Sequence, residues 1–182
     1  MTVIVGLVSG GKVILGADTL GSNRFTKHNF LTKKIIRKDS MLIGSSGSYK
    51  AINIIDMEFT QSKRLAGQTD LEYVYDNVRK LTRLIGEEGF SSTSQSTDSE
   101  RRLSSYSIIG YNGKIYEFQH DGSLLEPEYD YLAIGSGVYH AEAYMYATEG
   151  RKMKPEDRVA EAIKCASHFV TTVNDKVQLE VL

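Results

Sequence analysis

Two apolar runs, residues 2–7 and 13–17, are separated by Ser9, Gly10, Gly11 and Lys12, and no other stretch constrains the fold as strongly. A Gly-Gly pair between apolar runs favours a two-residue primed turn, because glycine takes positive φ at both central positions without steric cost. The runs therefore form an antiparallel hairpin. Both are apolar or small at almost every position, so both faces of the hairpin are covered, and helices are expected above and below it. If Ser9 faces Lys12, Val3 faces Asp18 and Thr2 faces Thr19. A carboxylate then lies beside the first residues of the chain. Such an acid is unfavourable to bury unless a cation or hydrogen-bond donors meet it. Lys33 and Lys34, on the next expected strand, are the nearest cations in sequence; a surface acid at a strand end is the alternative.

The third strand is expected at residues 34–36. A fourth begins at 41–43 and ends in Gly44, Ser45, Ser46, Gly47 and Ser48. The period then becomes helical. Ile52, Ile55 and Phe59 share one face, and a second helix opens with Thr69 and Glu72 in capping-box spacing. Its apolar stripe is Leu71, Val74, Val78, Leu81 and Ile85. Residues 91–99 are polar and serine-rich, a mobile loop rather than a domain linker, because the segments that follow still need a partner layer. Strands return at 106–111 and 114–119 around Asn112-Gly113, a strong hairpin signal, and Asp121-Gly122 makes the next turn. A strand at 131–134 runs into Gly135, Ser136 and Gly137, and a helix follows from about Tyr139. The last helix starts at Pro155 with Glu156 and Asp157 in its first turn, where the helix dipole favours acids. Its buried face is Val159, Ala162, Ile163, Ala166, Phe169, Val170 and Val173, with Cys165 among them as a small hydrophobe. With a short terminal strand, this order gives an α+β fold over residues 1–182, a four-layer αββα sandwich of two antiparallel sheets between two helical layers.

The bulk properties restrict the function. A chain of 182 residues with 41% hydrophobic content can build one domain with a real core. Its 22 basic and 23 acidic residues leave a net charge of -1, which supplies no electrostatic footprint for nucleic acid or an anionic membrane. The one cysteine, Cys165, cannot close an internal disulfide, and His28, His120, His140 and His168 lack the spacing of metal ligands, so a reducing cytoplasm is expected. The N-terminus lacks the pattern of a signal peptide, and no segment reaches the roughly 18 apolar residues of a membrane span.

Thr2, the Gly-Ala-Asp ending at Asp18, Lys33-Lys34 followed by Ile35-Ile36, the small-residue turn at Gly44, and Ile134-Gly135-Ser136-Gly137 together resemble the β subunits of proteasomes. They are most similar to the bacterial ring protease HslV and its proteasome-like relatives in bacteria and phages. The spacing from Thr2 to Asp18 and on to Lys34 matches that family without a gap, and the resemblance covers nearly the whole chain. It implies the N-terminal-nucleophile hydrolase fold, with Thr2 as nucleophile once Met1 is removed. A threonine hydroxyl needs a base, and the amine of the same residue can serve directly or through one water. An α-amino pKa of about 7.7–8.0 already lies near working pH, and a neighbouring Lys34 ammonium would lower it further. The resemblance gives Asp18 the task of holding Lys34 charged, the Gly44 N–H or a neighbour that of oxyanion donor, and Ser136 that of orienting the amine. Leu42 is expected to line the substrate pocket.

Departures from the family also matter. Val170 stands where proteasome subunits carry a supporting aspartate. HslV lacks that acid too and surrounds a cation with backbone carbonyls, which would be those of Ser167, Val170 and Val173 here. The resemblance thus implies a structural monovalent cation, with no cofactor required for the chemistry. The turn before Gly44 is about two residues shorter than in HslV.

The leading functional reading is a threonine-type endopeptidase, self-associated into a ring and degrading unfolded polypeptides. An ATP-dependent unfoldase would feed it, since this chain has no P-loop. A non-catalytic ring subunit with a structural or regulatory role is the alternative. An amidase of the same fold acting on small amides is a third.

Overall fold

The computed structural model describes residues 2–22, 25–87, 91–92, 102–103 and 105–182. Strands β1 (Val3–Ser9) and β2 (Lys12–Asp18) form the expected hairpin, with Ser9 opposite Lys12 and Ile4 opposite Ala17. Gly10 and Gly11 have φ of 57° and 75°, the two positive values a primed turn requires. There follow β3 (Leu20–Ser22), β4 (Lys27–Asn29), β5 (Ile35–Lys38), β6 (Met41–Gly47), α1 (Tyr49–Met57) and α2 (Asp70–Glu87). The second half contributes β7 (Ser91–Ser92), β8 (Arg102–Leu103), β9 (Ser105–Tyr111), β10 (Lys114–Phe118), β11 (Leu124–Leu125), β12 (Tyr131–Gly135), α3 (Val138–Ala147), α4 (Pro155–Phe169) and β13 (Val177–Val181). Ser91 and Ser92 pair with β8, and residues 93–99 of the expected loop lie outside the described residues.

Two antiparallel sheets carry the fold. One has the order β12-β1-β2-β13 and the other β11-β10-β9-β6-β5. Because side chains alternate along a strand, each sheet presents two faces. From the first sheet, Ile4, Val13, Leu15 and Ala17 meet Ile35, Leu42, Ile108 and Ile115 of the second, closing the inter-sheet core. On its outer face Val3, Val5, Leu7 and Ile14 pack beneath α3 and α4 through Ala141, Met145, Val159, Ala162, Ile163 and Ala166. The second sheet's outer face is covered by α1 and α2, where Ile52, Ile55, Val74, Val78, Leu81 and Ile85 meet Ile43, Ile109 and Tyr116. Each valine, leucine, isoleucine or methionine among them contributes roughly 1.5–3 kcal/mol by leaving water, and each alanine less.

The layering is αββα. The hairpin is covered on both faces, but not by helices on both; the second sheet covers the inner one. An apolar run reports that partners exist, not which kind of element they are. Close approach of α4 is possible because β2 carries Gly16, where a Cβ would stand 2.4 Å from Val159.

The helix signals hold, except that Phe59 lies beyond the end of α1, Val170 and Val173 lie beyond the end of α4, and Leu71 and Phe169 are exposed. Thr69 and Glu72 form the reciprocal capping box, Thr69 N donating to Oε2 of Glu72 at 2.8 Å and Glu72 N to Oγ1 of Thr69 at 3.3 Å. Leu71, however, is 45% exposed, because the first turn of α2 leans on Tyr73 instead. The Tyr73 ring packs 5.0 Å from that of Tyr111 and its hydroxyl donates to the Ser62 carbonyl. Phe169, at the last residue of α4, is 62% exposed and stacks on His140 rather than entering the core. Cys165 is half-buried. Among the described residues no helix is long and apolar enough to cross a membrane.

Candidate active site

The hairpin register carries Asp18 to the end of β2, beside the residues that lead into β1. The ladder's last pair is Ile4 with Ala17, and one step beyond it Val3 N donates to the Asp18 side chain, Oδ1 at 3.0 Å, which sets the two residues side by side as the register expects. The Thr2 hydroxyl donates to the same oxygen, and Leu20 N donates to Oδ2 at 3.1 Å. Lys34 arrives from the other sheet, on the residue before β5. Its ammonium donates to Thr2 Oγ1, to Asp18 Oδ1 at 2.8 Å and to the Leu20 carbonyl at 2.8 Å. All three ammonium protons are thereby used. Thr2, Asp18 and Lys34 are 2%, 0% and 3% exposed, so the cluster is shielded from bulk water.

Burial pushes Lys34 below the ordinary lysine value, while the charge of Asp18 and its hydrogen bond pull it back up. Lys34 thus belongs to Asp18, and Lys33 to a different partner, Oε1 of Glu180 at 3.0 Å on the exposed side. Tyr49, in the first turn of α1, is raised above the ordinary tyrosine value by burial and by the charge of Asp18. Its ring meets Phe30 edge-on with centroids 5.4 Å apart, and its hydroxyl is buried without a partner among the described residues. The two rings crowd Gly21, where a Cβ would stand 2.1 Å from Phe30.

Ser136 also reaches the cluster. Its hydroxyl lies 3.1 Å from the Thr2 carbonyl, to which it donates, and 3.1 Å from Thr172 Oγ1. Its contact is with the carbonyl of Thr2. Gly135 makes this approach possible: φ is 94°, and a Cβ there would stand 2.3 Å from the Thr2 carbonyl oxygen.

Gly44 is not brought to the cluster. It is paired with Ile35 on one side and Ile108 on the other, and a Cβ on it would meet Ile4 at 3.0 Å in the inter-sheet core. Peptide groups along a strand point alternately to its two edges. Ser45 N donates across to the Lys34 carbonyl at 2.9 Å, so the Gly44 N–H points the other way, toward β9. By the same alternation the Gly47 N–H points to the Lys34 side, beyond the first residue of β5. Leu42, expected in a substrate pocket, is fully buried between the sheets. Two positions along a strand return to the same face, so Leu42 shares the inter-sheet face with Gly44.

Ser167, Val170 and Val173 lie at the end of α4 and in the turn after it. Val173 N donates to the Val170 carbonyl at 3.1 Å, which leaves that oxygen a second lone pair. Among the described residues no group of three or more histidine, cysteine, aspartate or glutamate side chains could hold a metal ion.

Several residues at the site had no sequence signal of their own. Thr172 touches Ser136. Asn174 accepts from Thr19 N at 3.1 Å and donates to Thr19 Oγ1 at 3.1 Å and to Asn29 at 2.7 Å, tying the end of β2 to β4. Thr172 lies 36 residues from Ser136, and Asn174 lies 155 and 145 residues from Thr19 and Asn29, so only tertiary structure reveals these contacts. The aromatic pair over Gly21 was equally silent.

Solved structures share this architecture. Thiobacillus denitrificans BPH, solved in complex with epoxomicin, superposes with a TM-score of 0.80 at 20% identity, covering 100% of this chain and 98% of that one. Eukaryotic HslV from Trypanosoma brucei superposes with a TM-score of 0.70 at 23% identity, covering 99% and 98%. Among curated proteins, the ATP-dependent protease subunit HslV of Petrotoga mobilis is 29% identical over 83 residues, 45% of this chain and 47% of that protein. That match spans about half the length of the relative. The profile described as proteasome subunit matches residues 2–181, and the chain belongs to the proteasome subunit family.

Proposed function

We propose that the chain is a threonine-type peptidase subunit, with Thr2 as nucleophile after removal of Met1. The observation that carries the reading is the buried ammonium of Lys34, whose three protons reach Thr2 Oγ1, Asp18 and the Leu20 carbonyl. Asp18 and the Leu20 carbonyl fix the ammonium against the hydroxyl that would react. In the mature chain the amine of Thr2 takes the hydroxyl proton as Oγ1 attacks a peptide carbonyl, and the carbonyl electron pair moves onto oxygen. Lys34 lowers the basicity of that amine toward working pH by like-charge repulsion. Gly47 N–H, aimed to the Lys34 side, is the donor to the oxyanion. The amine then protonates the departing nitrogen, leaving an ester on Thr2, and water hydrolyses the ester. Ser136 and Thr172 steady the carbonyl of Thr2 during these steps.

The family context supports a ring built by self-association, a cytoplasmic location, an ATP-dependent unfoldase as partner and unfolded polypeptides as substrates. A monovalent cation held by the carbonyls of Ser167, Val170 and Val173 would brace the turn after α4, and no step runs through it.

The test is covalent. Protein whose intact mass shows Thr2 as the first residue should gain one peptide epoxyketone on Thr2 and should hydrolyse fluorogenic peptides, while Thr2→Ala should assemble and do neither. If assembled, demethionylated protein supplied with its unfoldase does neither, the non-catalytic ring subunit replaces the peptidase.

A further inference from the structure

We propose that Gln178 is a positioning residue, a side-chain clamp that fixes the backbone of Lys34 and so sets where its ammonium stands; the functional part of this inference rests on the peptidase reading above. Gln178 lies on β13, opposite Ala17 of β2. Its strand neighbours Val177 and Val181 pack with the α4 cluster, so alternation turns Gln178 and Glu180 toward the second sheet. There the carboxamide meets the open edge of β5. Oε1 accepts from Lys34 N at 3.0 Å and from Ile35 N at 3.3 Å, while Nε2 donates to the Ile35 carbonyl at 2.8 Å.

The pairing with Ile35 is what a neighbouring strand would supply: one acceptor for its N–H and one donor for its carbonyl. β5 is the last strand of its sheet, so these groups have no strand partner on that side. Lys34 and Ile35 are 3% and 1% exposed, so water cannot readily take the amide's place. One half-buried side chain thus joins the edge of the first sheet to the edge of the second at the residue bearing the ammonium. Val177, one residue earlier, is the register partner of Asp18. Strand β13 therefore touches both members of the buried ion pair, Asp18 through the ladder and Lys34 through Gln178. A glutamine on a terminal strand reads from sequence as an ordinary exposed polar position, and its partners lie 143 and 144 residues away.

Gln178→Leu keeps the approximate volume and leaves two amides and a carbonyl without partners. The lysine then shifts by a fraction of an ångström or more, and Thr2 loses the charge that tunes its amine. The control is Glu180→Gln, which removes the charge from the neighbouring β13 tie to Lys33 without touching Lys34. Two readouts are taken on the assembled protein. In the first, the pH dependence of epoxyketone capture at Thr2 is measured by intact mass. Gln178→Leu should lower the maximal rate by about a hundredfold and move the rising limb to higher pH, while Glu180→Gln should keep the wild-type profile. In the second, lysines are acetylated with an N-hydroxysuccinimide ester and mapped by peptide mass spectrometry. Lys34, protected in the wild type, should react at least about tenfold faster in Gln178→Leu, with the other lysines unchanged. If Gln178→Leu fails to assemble, Gln178→Glu takes its place; it keeps the acceptor, loses the donor to Ile35, and should raise Lys34 acetylation about fivefold. A wild-type pH profile together with undiminished protection of Lys34 would overturn the proposal. Should the wild type itself never capture the epoxyketone, the peptidase reading falls, and the acetylation alone decides whether Gln178 holds Lys34.

Discussion

The Nζ of Lys34 stands 2.8 Å from Oδ1 of Asp18, with the side chains 3% and 0% exposed. Two opposite charges so far from water are held by geometry as much as by attraction: each has further hydrogen bonds, and neither can be solvated if its partner goes. Asp18→Ala should therefore destabilise the fold by about 3–5 kcal/mol, since it leaves the ammonium buried with only the Leu20 carbonyl and the Thr2 hydroxyl. The double variant Asp18→Ala/Lys34→Met should be less destabilised than the single one, because it removes the stranded charge. A denaturant double-mutant cycle checks this, and additive losses would refute the coupling.

Gly135 and Ser136 act on the same atom, the carbonyl oxygen of Thr2, but through different physics. Gly135→Ala places a Cβ where only 2.3 Å is available, on a backbone with φ of 94°, so Thr2 must move. Epoxyketone capture should fall about a hundredfold, with a loss of stability above about 1 kcal/mol. Ser136→Ala removes one hydrogen bond at 3.1 Å and should lower capture about tenfold with little change in melting temperature. Equal effects of the two substitutions would show that the approach of the backbone is not what sets the nucleophile.

These residues also show how far a sequence reaches. The pairing of Val3 with Asp18 was legible because a Gly-Gly turn fixes the register of a short hairpin, and a register error of one would invert every side chain. Lys34 could be chosen over Lys33 only through family spacing, since both lie at the start of one strand. Smallness at Gly44 marks close packing as readily as an exposed amide, and the direction of its N–H depends on strand alternation relative to Lys34, which the sequence does not display. Thr172, Asn174 and Gln178 are ordinary polar residues until the segment after α4 folds back and β13 pairs with β2. Leu71 and Phe169 have helical spacing but sit at the ends of α2 and α4, where the covering layer stops.

Tyr116 provides a pH-dependent test remote from the site. It lies on β10 opposite Ile109, fully buried, with its hydroxyl lacking a partner among the described residues. Burial, and then the negative charges of Glu126 and Asp70, push the phenol up to about 12. A folded-state value above the unfolded one near 10 gives stability that is complete below about pH 10 and lost as pH rises toward 12. Tyr116→Phe cannot ionise and gives up an unsatisfied hydroxyl, so it should match or exceed the wild type by about 1 kcal/mol at neutral pH. Melting curves from pH 8 to 12 should show the wild type falling more steeply above pH 10. Parallel curves would mean that other groups govern the alkaline limb.

The donor to the oxyanion is decided by comparing Gly44 and Gly47. Gly47 closes β6 with φ of 120°, a conformation L side chains avoid, and its N–H points to the side on which Lys34 lies. Gly47→Ala strains that backbone by about 1–3 kcal/mol, and the relief of the strain turns the peptide away. Capture of the epoxyketone should then drop by roughly a hundredfold to a thousandfold, the loss typical of one oxyanion donor. Gly44→Ala instead presses a methyl against Ile4 at 3.0 Å between the sheets. It should lower stability by about 1–3 kcal/mol through overpacking, yet each folded subunit should still capture the inhibitor at close to the wild-type rate. Both rates must be normalised to folded, assembled protein, measured well below the lower of the two melting temperatures. The opposite pattern, with Gly47→Ala active and Gly44→Ala inert while folded, would return the donor to Gly44 and would require β6 to shift its pairing when substrate binds.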